Sequence, residues 1–299
     1  MANDMADSKT KDIGDLPRAL GGLGGTEGDG GVGGELESTL KKSLQGKRPA
    51  VFLDYDGTLT PIVERPQDAI ISESMREAVR SLAERCPVCV VSGRDRKVVQ
   101  DLMGLDNLIV AGSHGFDIWS PEEGTIEHDA GSGFEELIEE VKDTLQEKAL
   151  PYEGASVEPK KASVAVHYRL VKEDKRSEIK QIVDNLLAER PEELKVTPGK
   201  MVYEVQPKID WDKGKAVLFL LETLDLEGED VVPIYLGDDI TDEHAFEALK
   251  TLKSSSKASS RGIGIYVGDT EQEEARKSAA DYVLESVPDV ERFLNSLAR

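Results

Sequence analysis

The chain has 299 residues, 38% of them hydrophobic, enough to bury one large core or two modest ones. Its formal net charge of -22 argues against nucleic acid or anionic membrane as partners, since both would repel such a surface and no basic patch interrupts it. No stretch approaches the roughly 18 uninterrupted apolar residues of a membrane span. The N-terminus lacks the apolar centre of a secretion signal, so the expected location is cytoplasmic.

From Met1 to about Gly34 the chain is rich in Gly and Asp, a composition that predicts a disordered tail. Read as a phosphate loop, these glycines would need a preceding apolar strand and a following Gly-Lys-Ser/Thr, and neither is present. A short helix is expected over 36–44, so residues 1–46 precede the folded part. The run 50–53 then reads as a buried strand that stops abruptly in Asp54-Tyr55-Asp56-Gly57-Thr58. Helical spacing over 74–85 leads to a second apolar run, 88–91, followed directly by Ser92-Gly93-Arg94. Residues 98–103 continue as helix, 108–111 read as a third strand, and Gly112-Ser113-His114-Gly115 forms the loop after it. Cys86 and Cys89 have the spacing of a redox pair, but Cys89 lies inside the apolar run, which predicts a buried structural thiol.

The middle of the chain changes character. Helical spacing over 134–148 precedes an alternating strand at 163–169, and a second helix over 177–188 precedes a strand at 201–205. The first pattern returns with a helix over 216–224 and an apolar strand at 231–236 that ends in Gly237-Asp238-Asp239, with a further strand over 262–267. Strands alternating with helices predict a doubly wound, Rossmann-like parallel sheet over 47–122 and 208–299, interrupted by an α+β domain at 123–207.

Open parallel sheets bind ligands beyond the carboxyl ends of their strands, and several of those ends carry reactive groups here. Asp54 and Asp56, two apart, can both face one cavity while Tyr55 points away. Two such carboxylates repel unless a cation neutralises them, and hard oxygen donors suit Mg2+, with Asp238 or Asp239 completing the set. Ser92 offers a hydroxyl and amides for a phosphate oxygen, and Lys213 a mobile positive charge. Together these are the parts that phosphoryl transfer requires.

These motifs resemble those of the haloacid dehalogenase (HAD) superfamily of aspartate-nucleophile phosphatases: Asp54 to Thr58, Ser92, Lys213, and Gly237-Asp238-Asp239 in turn. More narrowly, residues 53–63, 91–94, 111–115, 210–216 and 237–243 are similar to the trehalose-6-phosphate phosphatases. The resemblance implies that Asp54 is the nucleophile and Asp56 the acid that protonates the departing sugar oxygen and then activates water. It implies that Ser92 and Lys213 hold the phosphoryl group, and that Asp54, the backbone carbonyl of Asp56, and Asp238 coordinate Mg2+. Asp239 and Asp242 would stand behind them, orienting metal-bound water or Lys213. The insertion would be a cap closing over the sugar on hinges near 120–124 and 205–210, with Glu158, Lys160, Arg169 and Glu204 as sugar contacts. Lys161 competes with Lys160 for that role. Arg94 and His114 are weaker candidates in the core, Arg94 as a further substrate-binding residue, and both could instead only brace their loops. Another sugar phosphate, such as that of sucrose or of glucosyl- or mannosyl-glycerate, is the alternative substrate; a noncatalytic phosphoacceptor module is the remaining reading.

Overall fold

A computed structural model describes residues 10–17, 42, 44–128, 133–252, 262–268 and 276–298. Most of the expected tail and nearly all of the helix expected over 36–44 lie outside the described residues. The central sheet carries six parallel strands: Arg48–Leu53 (β2), Val88–Val91 (β3), Ile109–Gly112 (β4), Val231–Gly237 (β11), Ile263–Val267 (β12) and Tyr282–Leu284 (β14). Their spatial order is β14-β12-β11-β2-β3-β4. Numbered by appearance this is 3-2-1-4-5-6 read from β4, the doubly wound order, with the reversal between β2 and β11.

Residues in β2 alternate between the two faces. Val51 and Leu53 pack with helices Glu73–Ala83 (α1), Arg96–Met103 (α2) and Val287–Leu297 (α7), whereas Ala50 and Phe52 pack with Lys213–Thr223 (α5) and Ile240–Thr251 (α6). Helices thus cover both faces, which is why the strands read as continuous apolar runs rather than alternating ones. Cys86 and Cys89 fall in opposite layers as free, buried thiols, and burial pushes the Cys86 thiol up to about 11.

Two antiparallel strands, Asp117–Ser120 (β5) and Gly124–Ile126 (β6), extend the sheet beyond β4. This corrects the expected boundary at 122/123 and the first hinge, since residues 120–124 form a hairpin whose ends, Ser120 and Gly124, are paired. Short half-polar strands at a sheet edge give little apolar signal, and the hairpin read as a linker. The chain crosses to the insertion after Ile126 and returns after Pro207; His128 on the way out stacks on Trp211 on the way back, ring centroids 4.2 Å apart.

The insertion is a four-stranded antiparallel sheet covered by two helices. Glu135–Ala149 (α3) precedes Ser156–Pro159 (β7) and Val164–His167 (β8), and Arg176–Glu189 (α4) precedes Leu194–Gly199 (β9) and Val202–Pro207 (β10). The sheet order is β7-β8-β10-β9, so the two α-β-β units meet at β8 and β10. Its apolar cluster, including Val141, Leu145, Val164, Ile179 and Val205, is separate from the two beside the central sheet. Among the described residues, no helix is long and apolar enough to cross a membrane.

Part of the expected tail is ordered, which is a second correction. Lys11–Asp12 (β1) pairs antiparallel with Lys277–Ser278 (β13), and Ile13, 0% exposed, packs with Leu16 into the layer of α5 and α6. Averaged over a Gly-rich window, two apolar residues are invisible; placed beside a sheet edge, they bury. Ile13→Ala is therefore expected to lower stability by about 2–5 kcal/mol, read as a fall in the urea midpoint, and an unchanged midpoint would separate residues 10–17 from the core.

Candidate active site

The reversal between β2 and β11 leaves a crevice, and each flanking strand ends in a carboxylate. Asp54 follows β2 and is 5% exposed, its amide donating to Leu236 O of β11 at 2.9 Å. Asp238 follows β11 and packs against Gly57, whose φ of +82° admits the tight turn; a Cβ at Gly57 would lie 2.1 Å from Asp238 Oδ2. The cavity above them, about 550 Å3, is lined on its far side by residues of the four-stranded sheet and its turns.

Lys213 begins α5, where the helix dipole disfavours a cation, and it is only 3% exposed. Two carboxylates account for its place there: its Nζ donates to Asp54 Oδ1 at 2.9 Å and to Asp242 Oδ1 at 2.7 Å. Asp242 in turn sits in the first turn of α6, facing Asp239 in a capping box. Its Oδ2 accepts the amides of Asp238 and Asp239 at 3.0 and 2.9 Å, and its Oδ1 also accepts from Tyr235 OH at 2.6 Å. Burial opposes its ionisation, yet Lys213 and these donors hold Asp242 below the usual carboxylate range. Asp54 lacks such donors. Burial pushes it well above that range against the pull of Lys213, with Asp242 and Asp238 adding to the rise.

Oxygens of Asp54, Asp238 and Asp242 lie within 4.8 Å of one another. Both Asp242 oxygens are committed within the protein, whereas Asp238 Oδ1 is buried with no hydrogen-bond partner. An unpartnered buried carboxylate oxygen beside a second carboxylate is a fit for a hard divalent cation, with Asp54 and Asp238 as ligands and Asp242 behind them. Asp238 Oδ2 meets Lys200 Nζ at 2.7 Å, a contact from the turn between β9 and β10. Burial raises the Asp238 carboxyl to about 6, opposed by Lys200 and reinforced by Asp242.

The other expected residues surround this centre. Ser92, 1% exposed at the end of β3, accepts from Arg94 N at 3.1 Å. Asp239 caps α6, accepting from Ile240 N, and reaches the cavity wall. Lys160 lines the cavity, donating to Gly93 O at 2.6 Å and Glu204 Oε2 at 3.0 Å, while Lys161 turns to Asp117. Glu204 is held from both sides, by Ser163 Oγ at 2.5 Å and by Lys160, with His114 Nε2 3.2 Å away. Burial works against its ionisation, but Lys160 and His114 hold it far below the carboxylate range. Glu158 pairs with His167 Nε2 at 2.7 Å, and Arg169 at the rim donates to Lys200 O. Arg94 lines the cavity, and its guanidinium clasps Asp56 with two bonds of 2.6 Å, the bracing contact that was one of its two expected roles.

Three residues of this site were not singled out from sequence. His167 stands two positions before Arg169 and Lys200 four before Glu204, so nearness to expected sugar contacts was their signal. Tyr235 had none, because a tyrosine within an apolar strand reads as core.

Strand order and strand-end carboxylates define a doubly wound α/β core of HAD-like type. A haloacid dehalogenase-like hydrolase from Bacteroides thetaiotaomicron shares the fold at 16% identity, with a TM-score of 0.59 over 84% of this chain and 100% of that one. The Trehalose-phosphatase family model matches residues 52–288, and the chain belongs to that family. It is similar to Trehalose 6-phosphate phosphatase RA3 of Zea mays, 43% identical over 87% of this chain and 72% of that protein. Probable trehalose-phosphate phosphatase D of Arabidopsis thaliana is 40% identical over 86% of this chain and 69% of its own length. Among solved structures, the C-terminal domain of C. albicans trehalose-6-phosphate phosphatase matches with a TM-score of 0.73 and 26% identity, over 87% of this chain and 96% of that one.

The raised Asp238 carboxyl makes cation binding pH-dependent. A raised acid favours the protonated folded state, so the metal-free protein loses this contribution as pH rises from about 4 through about 6. A cation binds the ionised form and restores the loss. Adding Mg2+ should raise the Tm more at about pH 7 than at about pH 5; equal shifts in thermal melts would remove Asp238 from the cation site.

Proposed function

We propose that this chain hydrolyses trehalose 6-phosphate to trehalose and phosphate through an aspartyl phosphate on Asp54, with Mg2+ as the cation. The observation that carries this reading is the placement of Asp54, Asp238 and Lys213 at the reversal point of the sheet, facing a disaccharide-sized cavity in a member of the Trehalose-phosphatase family. The cytoplasmic location expected from the sequence belongs to the same proposal.

In the first step an Asp54 oxygen attacks phosphorus, the bond from phosphorus to the sugar oxygen breaks, and that oxygen takes a proton from Asp56. In the second, water gives a proton to Asp56 as its oxygen attacks phosphorus, and the bond to Asp54 breaks to release phosphate. Lys213, already 2.9 Å from Asp54, offsets phosphoryl charge, and the Ser92 loop offers donors to the remaining oxygens. Bound at Asp54, Asp238 and the Asp56 carbonyl, Mg2+ would supply charge neutralisation between nucleophile and phosphoryl group. The four-stranded sheet serves as the cap. Glu158, Lys160, Arg169 and Glu204 line the cavity from it and offer the carboxylates and cations that sugar hydroxyls need.

Phosphate release over a panel of sugar phosphates tests the substrate. Turnover of sucrose phosphate or a glycosyl-glycerate phosphate in preference to trehalose 6-phosphate would replace the substrate while keeping the chemistry. Asp54→Asn should abolish turnover with the fold intact, because the amide has the same shape and cannot attack phosphorus; substantial residual activity would refute the mechanism. Glu158→Ala should depress trehalose 6-phosphate turnover far more than that of p-nitrophenyl phosphate, and equal losses would take Glu158 out of the sugar site.

A further inference from the structure

Arg94 is built into the core in a way that a ligand-seeking arginine is not. Its backbone amide is held by Ser92 Oγ, and its guanidinium lies 5.4 Å from the centre of the Tyr55 ring. Tyr55 is buried and anchored by its hydroxyl to Ala69 O at 2.8 Å. From this brace Nε reaches Asp56 Oδ2 and Nη2 reaches Asp56 Oδ1, both at 2.6 Å, so a planar fork grips the whole carboxylate. The Arg94 side chain is 12% exposed and that of Asp56 34%. Asp56 therefore stands on the cavity wall, on the turn closed by Gly57, with one side open to the site and the other fixed by Arg94.

A carboxyl that passes a proton to a leaving oxygen, then accepts one from water on the same side, must keep its orientation through both steps. Left alone on an exposed turn, an aspartate rotates freely about its side-chain bonds. We propose that Arg94 is a positioning residue that acts through Asp56, aligning its carboxyl for both proton transfers, and that it is not a sugar contact. The assignment rests on the acid–base role given to Asp56 above. An ordinary exposed ion pair would contribute little. Here the cation is mostly buried, doubly bonded and restrained by ring and backbone, so its geometry is imposed on its partner.

The test is a double-mutant cycle with Arg94→Ala and Asp56→Asn, together with Arg94→Lys. On trehalose 6-phosphate, Arg94→Ala should lower kcat roughly 10²-fold with little change in KM, the scale of a displaced catalytic group. In the Asp56→Asn background the same change should cause no further loss, since its route of action is gone. Arg94→Lys keeps the charge without the fork and should recover only part of the rate; it also keeps the question open to measurement if the alanine variant folds poorly. With p-nitrophenyl phosphate the leaving group needs no proton, so Arg94→Ala should give a fast burst of p-nitrophenolate and then slow turnover limited by water attack. A raised KM for trehalose 6-phosphate at unchanged kcat, or a further loss in the Asp56→Asn background, would overturn the proposal and return Arg94 to the substrate. Full turnover by Asp56→Asn alone would instead refute the acid–base role on which it rests.

Discussion

Burying the Lys213 ammonium at the start of a helix organises the rest of this site. Neither burial nor the helix dipole favours a cation there, so the position is tenable only with carboxylates at hydrogen-bond distance. Asp54 and Asp242 supply them from two other elements, and the three groups tie the end of β2 and the beginnings of α5 and α6 into one cluster. Asp242 is satisfied fourfold and stays ionised as a structural counter-charge. Asp54 has one cationic partner and is left under-compensated, which is the state a nucleophile needs if a metal and a phosphoryl group are to complete its environment.

The same economy of partners divides the remaining carboxylates. Asp238 keeps one buried oxygen without a protein partner, whereas Asp56 has both oxygens engaged by Arg94. Chemically similar side chains thus acquire different functions through who faces them. Polar contacts also join the insertion to the core around the cavity: Lys160 with Gly93 O, Glu204 with His114, Lys200 with Asp238, and Lys161 with Asp117. Residues offered for sugar recognition are therefore engaged with the core or with other residues of the insertion, and a sugar would have to exchange with those contacts.

Much of the fold was legible because strands covered on both faces announce themselves as apolar runs. β2, β3, β4, β11 and β12 could each be placed, and the polar residues after three of them marked the site. What escaped were elements whose burial depends on neighbours far away in sequence. The hairpin of β5 and β6 and the outer strands β7 and β9 are half-polar, and Ile13 with Leu16 are two apolar residues in a Gly-rich stretch. None carries a periodic signal long enough to separate it from a loop.

The sequence by itself located the charged groups that the core brings together: Asp54, Asp56 and Asp238 stood out by strand-end position and Lys213 by its motif, all of them local properties. Tertiary structure decided how those groups are shared. Arg94 read equally as a ligand residue or a loop brace, and only the fold showed its partner, Asp56, 38 positions away along the chain. Tyr235 became a support for Asp242 only when β11 and α6 came together, and Lys160 parts from Lys161 only through the partners each meets in the loop after β7, Gly93 and Glu204 for one and Asp117 for the other. Such pairings are set by the packing of distant elements, to which spacing along a chain is blind.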